Sequence, residues 1–144
     1  MTRRDRGNYK AKHSSGSRVD EKIARALDTK TADGNITCAD ASDIAAELGV
    51  TMKEVGVAID LMEIELSKCQ LGLFGYSPQK AIVKPAETVH ADLEGAIRSA
   101  LVKDRLPCDA AWSIAKTFGI PKMAVSSACE TLKIKVKPCQ LGAF

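Results

Sequence analysis

Sliding the 144-residue sequence along itself by 70 positions gives 13 identities over the 37 ungapped positions from Cys38 to Phe74. Cys38 falls on Cys108, Ile44-Ala45 on Ile114-Ala115, Gly49 on Gly119, Val55 on Val125, Ala58 on Ala128 and Ile64 on Ile134. Cys69-Gln70-Leu71-Gly72 falls on Cys139-Gln140-Leu141-Gly142, and Phe74 on Phe144. Upstream, Ile23, Ala26 and Leu27 match Ile97, Ala100 and Leu101 with a further offset of four residues. The chain is therefore read as a duplication of one supersecondary unit. Two copies are too few for a solenoid, which leaves two small domains or one pseudo-symmetric domain.

Each copy reads as three helices and one strand. Apolar residues at helical spacing mark a first helix, with Val19, Ile23, Ala26 and Leu27 in one copy and Leu93, Ala96, Ile97, Ala100 and Leu101 in the other. A short extended piece follows, Ile36-Thr37-Cys38 or Leu106-Pro107-Cys108. A second helix closes on Gly49 or Gly119, a residue suited to the left-handed cap position. A third starts at Thr51-Met52 or at Pro121, proline being favoured in a first helical turn. The period then changes to two: Ile64 and Leu66 alternate with Glu63, Glu65 and Ser67, and Ile134 and Val136 with Lys133, Lys135 and Lys137, as in half-buried strands. The repeated Cys-Gln-Leu-Gly words are expected to fold back as clasps, Leu71 and Phe74 on the first copy, Leu141 and Phe144 on the second. The resulting domain map is a basic tail over 1–18, a first repeat over 19–76, a linker over 77–87 and a second repeat over 88–144.

Helix, glycine turn, helix is the order of a helix-turn-helix. Ala45, Gly49 and Val55, and again Ala115, Gly119 and Val125, occupy that pattern's small, glycine and aliphatic positions. Ile44, Leu48 and Val50, or Ile114, Phe118 and Ile120, complete its apolar set. The alanine permits close helix crossing, and the glycine takes positive φ without a Cβ penalty. Each copy thus resembles a helix-turn-helix DNA-binding unit of the winged-helix kind. The resemblance implies a mainly α fold: two tandem tri-helical units, each with a small β element, after a disordered basic tail. A wing needs a second strand. The first copy has a candidate return strand at Ala81-Ile82-Val83 that could equally be linker, while the second copy has only one strand and a turn before Phe144.

Charge divides the copies. The net charge of +3 is distributed as +5 over 1–18, −6 over 19–76, +1 over 77–87 and +3 over 88–144. Affinity for duplex DNA comes largely from Lys and Arg neutralising phosphates, so the face expected to be exposed on the first copy's third helix, Lys53, Glu54, Gly56, Val57 and Asp60, followed by Glu63 and Glu65, makes a poor DNA surface. Lys122, Ser126, Ser127 and Thr131, followed by Lys133, Lys135 and Lys137, are expected to face a groove and its phosphate walls. Arg3, Arg4 and Arg6 in the tail are expected to follow the phosphate backbone or enter a minor groove. Double-stranded DNA is thus the expected partner, in transcriptional regulation, with the acidic first repeat left for a protein partner or self-association. The plainer reading of the lysines is a strand edge guarded against pairing.

Four of the five cysteines form equally spaced pairs, Cys38 with Cys69 and Cys108 with Cys139, each 31 residues apart. If the extended piece before the second helix pairs with the strand after the third, each pair comes together, as a redox switch or half a metal site. Buried thiols inherited from one ancestral unit are the alternative, and Cys129 reads as core. No phosphate loop, dinucleotide fingerprint or HExxH motif is present, and His13 and His90 lack ligand spacing. No enzyme activity and no cofactor are expected. No apolar run approaches a membrane span and no signal sequence opens the chain, so the expectation is a cytoplasmic protein. A protein-interaction or redox/metal-sensing module on the same fold is the alternative, and the Cys-Gln-Leu-Gly-x-Phe ending resembles small units found with molybdenum-enzyme maturation proteins.

Overall fold

In the computed structural model, which describes residues 20–77 and 79–144, local capping chemistry sets most of the helix boundaries. The basic tail expected over 1–18 lies outside the described residues. Helix α1 (Glu21–Lys30) begins where the Asp20 carboxylate accepts hydrogen bonds from the Lys22 and Ile23 amides at 2.9 and 3.3 Å, partnering N–H groups that a helix start leaves unpaired. Its buried face carries Ile23 and Leu27, four residues apart. Strand β1 (Asn35–Thr37) runs directly into α2 (Cys38–Leu48), whose first turn is capped by the Thr37 hydroxyl accepting from the Asp40 amide at 3.1 Å. Gly49 ends α2 at φ 65°, the conformation its missing Cβ makes cheap. Helix α3 (Met52–Leu61) starts on a reciprocal capping box, Glu54 N–H to the Thr51 hydroxyl and Thr51 N–H to the Glu54 carboxylate.

Strand β2 (Glu65–Ser67) then returns alongside β1 in parallel, with Asn35 opposite Glu65, Ile36 opposite Leu66 and Thr37 opposite Ser67. A parallel pair requires a crossover, and α2 with α3 supplies it. Ile36 and Leu66, central in their strands, join Leu27, Ile44, Val55 and Ile59 in a buried aliphatic core. Each such side chain contributes about 1.5–3 kcal/mol by leaving water.

The second repeat forms the same order: α4 (Ala91–Ser99), β3 (Arg105–Leu106), α5 (Cys108–Phe118), α6 (Lys122–Leu132) and β4 (Lys135–Val136). Its strands are again parallel, with Arg105 opposite Lys135 and Leu106 opposite Val136. The capping hydroxyls of Thr37 and Thr51 are replaced by Pro107 and Pro121, at φ −61° and −60°. Proline supplies no side-chain acceptor but pre-sets the backbone angle at the helix entry. The described residues are thus mainly helical with small strands, as the repeat predicts.

The return strand considered for residues 81–83 does not form, while the strand pairing expected around the cysteines does. No wing hairpin occurs among the described residues: residues 81–83 form no strand, and the Ile82 and Val83 amides donate instead to the Gly72 carbonyl at 2.8 and 3.1 Å. The strand after each third helix pairs in parallel with the one before the second helix. The closing clasps also differ from expectation. Among the described residues, the compact units are 20–69 together with Gln140–Phe144, and Gln70–Cys139. Each Gln-Leu-Gly segment therefore belongs to the unit built by the other repeat, and residues 77–87, expected as linker, lie within the second unit.

The seats are at equivalent positions. In the first unit, Leu141 is buried and its backbone lies against Gly56 of α3 so closely that a Cβ at position 56 would overlap the Leu141 carbonyl. In the second, Leu71 is fully buried and its carbonyl accepts from the Ser126 hydroxyl of α6 at 2.5 Å. A side chain at Gly72 would meet Met123 of the same helix. Ser126 stands 70 residues after Gly56, and Leu141 stands 70 after Leu71.

Candidate nucleic-acid interface

The helix face expected to enter a groove is occupied by the protein's own chain. Ser126, expected to be exposed, is buried and donates to the carbonyls of Leu71 and Met123. A small hydroxyl there serves to pair a buried carbonyl, which would otherwise cost about 1–3 kcal/mol unsatisfied. Ser127 is half-buried, and its carbonyl accepts from the Ala86 amide at 3.0 Å. Thr131 is exposed, but its hydroxyl donates to the Ala86 carbonyl at 2.6 Å. Lys122 folds over Trp112, its ammonium 4.2 Å from the ring centroid, in cation–π geometry. The hydroxyl set of α6 is thus engaged within the unit.

The lysine row is different. Lys133 caps the end of α6 in the left-handed region at φ 58°, and its side chain is exposed. Lys135 and Lys137 are exposed along and just beyond β4, where the Lys137 amide donates to the Leu106 carbonyl at 2.8 Å and extends the strand pairing. That pairing gathers two basic residues that sequence reasoning missed. Arg105, exposed, is the register partner of Lys135, and Lys103, exposed, precedes it in the turn before β3. Five cations therefore lie on or beside one strand pair, with Asp104 the carboxylate in the same turn. The equivalent positions of the first unit are Asp33, Asn35, Glu63, Glu65 and Ser67. Comparing charge at the 70-residue offset, rather than identity, is the signal that finds Lys103 and Arg105. Arg3, Arg4 and Arg6 lie outside the described residues.

The four paired cysteines sit at the ends of the two strand pairs. Cys38 follows Thr37 directly, and Cys69 lies two residues beyond its partner Ser67. The Cys108 amide donates to the carbonyl of Pro138, the neighbour of Cys139, at 3.0 Å. None of the five cysteines forms a disulfide, and Cys139 is the one not buried. Two thiols per site fall short of the four ligands of a structural zinc, and among the described residues no group of three or more His, Cys, Asp or Glu could hold a metal ion. Cys129 is buried in the core, where burial and then the nearby Glu130 charge push its thiol up to about 11. His90 serves as the cap of α4, its ring nitrogen accepting from the Asp92 amide. Among the described residues no helix is long and apolar enough to cross a membrane.

No protein-family model matches this chain, and no curated protein and no solved structure matches it either.

Proposed function

We propose that this protein binds double-stranded DNA through the sugar–phosphate backbone along the β3–β4 edge of the second unit, and acts in transcriptional regulation. The observation that carries the reading is the cross-strand pairing of Arg105 with Lys135, flanked by exposed Lys103, Lys133 and Lys137. Like charges directly opposite on neighbouring strands destabilise a sheet, and a polyanion relieves that repulsion. Binding of this kind positions a protein on the duplex without reading bases through α6. The tail residues Arg3, Arg4 and Arg6 add further phosphate contacts in this reading.

A shift assay across a salt series tests it. Reversing Lys133 and Lys135 together to glutamate is expected to weaken duplex binding at low salt by more than tenfold. The slope of log affinity against log salt should flatten by about two, near one per lysine removed from phosphate. Unchanged affinity and slope would sink the reading. A second reading, a protein-interaction module, is favoured by the coverage of Ser126, Ser127 and Thr131 by the chain itself. A stable complex that forms without nucleic acid and ignores salt would support it.

A further inference from the structure

We infer that the seat over Gly56 on α3 is a binding site for the Gln-Leu-Gly-Ala-Phe segment, and that a second copy of this chain fills it in trans to form a segment-swapped dimer. This goes beyond the DNA reading and rests on none of it. The closing segments do not close the repeats they follow. Gln140–Phe144 belongs to the unit built by the first repeat, and Gln70 onward to the unit built by the second. Recognition of the segment is therefore recognition of one repeat by the tail of another, already within a single chain.

A swap in trans makes the same contacts as the arrangement in cis. The two differ in effective concentration, not in the interface formed. Swapped and unswapped forms are then separated by protein concentration during folding, and the connection at Cys139–Gln140 is where the chain passes from one unit to the other.

The occupant is specified by the seat. At Gly56 there is no Cβ, and the Leu141 carbonyl, carbonyl carbon and Cα all press against the bare helix backbone. At the equivalent Ser126, a hydroxyl occupies that space and donates to the Leu71 carbonyl. The two seats hold their segments differently although the Gln-Leu-Gly words are identical, so the segment that fits the Gly56 seat in trans is 140–144 of the other copy. Charge supports the approach of that copy. Lys135 and Lys137 lie just before the segment, and residues 20–69, which build the receiving unit, carry net −6. Complementary charge steers encounter.

The test uses the full chain in two isotopic batches, mixed in denaturant and refolded over a concentration series, then examined by native mass spectrometry. In the dilute range the dimer fraction should rise about tenfold for each tenfold rise in refolding concentration. The dimers should contain light–heavy pairs in statistical proportion. An excess of synthetic peptide spanning residues 138–144 during refolding should suppress the dimer and appear bound to the monomer. Leu141→Asp should abolish dimerisation while Leu71 is intact. Monomer alone at every concentration overturns the inference, as does a dimer that survives both Leu141→Asp and the peptide. Should Leu141→Asp not fold, the peptide competition on the wild-type chain decides by itself.

Discussion

Leu71→Ala is expected to destabilise the unit that contains α6, although Leu71 stands at the end of the first repeat. Leu71 is fully buried, it belongs to the unit Gln70–Cys139, and its carbonyl accepts from Ser126. Truncation leaves the backbone carbonyl and its hydrogen bond in place, so the cost is that of an emptied aliphatic site, about 2–5 kcal/mol. Hydrogen exchange followed residue by residue checks it. Protection should fall across α6, in the amides of Lys122–Leu132, and hold in α3, in those of Met52–Leu61. Leu141→Ala should give the mirror result, with α3 losing protection, because Leu141 is buried against Gly56. Loss of protection in the repeat that carries the mutated leucine would show that each segment clasps its own repeat. The pattern of loss, rather than its size, separates the two arrangements.

The elements were legible because their causes are local. Asp20, Thr37 and Thr51 write helix starts as side-chain oxygens three residues or fewer from the amides they cap. Gly49 and Gly119 write the stops, both at φ 65°. The buried residues Ile44, Ala45, Val55 and Ala58 recur as Ile114, Ala115, Val125 and Ala128, so the apolar core of each repeat could be read twice. Strand direction was not legible. A period of two marks a strand but carries nothing about its neighbour, and the strands here are two or three residues long. The seating of the closing segments was hidden by the duplication itself: identical words at 70–72 and 140–142 cannot say which helix each will meet. The trace left in the sequence is the pair Gly56 and Ser126, where one repeat needs a bare backbone and the other a donor. The role of Ser126 is hidden for a related reason. A small hydroxyl on an outward helix position looks like a groove contact unless the buried carbonyl it satisfies is known, and that carbonyl lies 55 residues away. The exposure of the lysine row is legible because it alternates with Ile134 and Val136, but its neighbours Lys103 and Arg105 lie in and beside a turn whose pairing no local pattern announces.

Gly56→Ala sets two effects of opposite sign against each other, and their sizes decide the outcome. In a helix interior, alanine is favoured over glycine by about 0.8–1 kcal/mol. Gly95, in α4, shows that effect alone: it is exposed, and a Cβ there would meet nothing within 4 Å. Gly95→Ala is therefore expected to stabilise the protein by about 0.5–1 kcal/mol. At Gly56 the same methyl group would sit against the Leu141 carbonyl carbon and Cα at 2.8 and 2.9 Å. Those are backbone atoms that cannot swing aside as a flexible side chain could. Overpacking of this kind costs about 1–3 kcal/mol, and where the segment is expelled the burial of Leu141 is lost as well. The net expectation is destabilisation of about 1–2 kcal/mol, read as a lower denaturant midpoint with exposed amides in Gln140–Phe144. Paired urea titrations of the two variants should move the midpoint in opposite directions. A Gly56→Ala variant as stabilised as Gly95→Ala would mean that the Leu141 backbone does not rest on α3. The seat of Leu141 would then have to be sought elsewhere in the first unit.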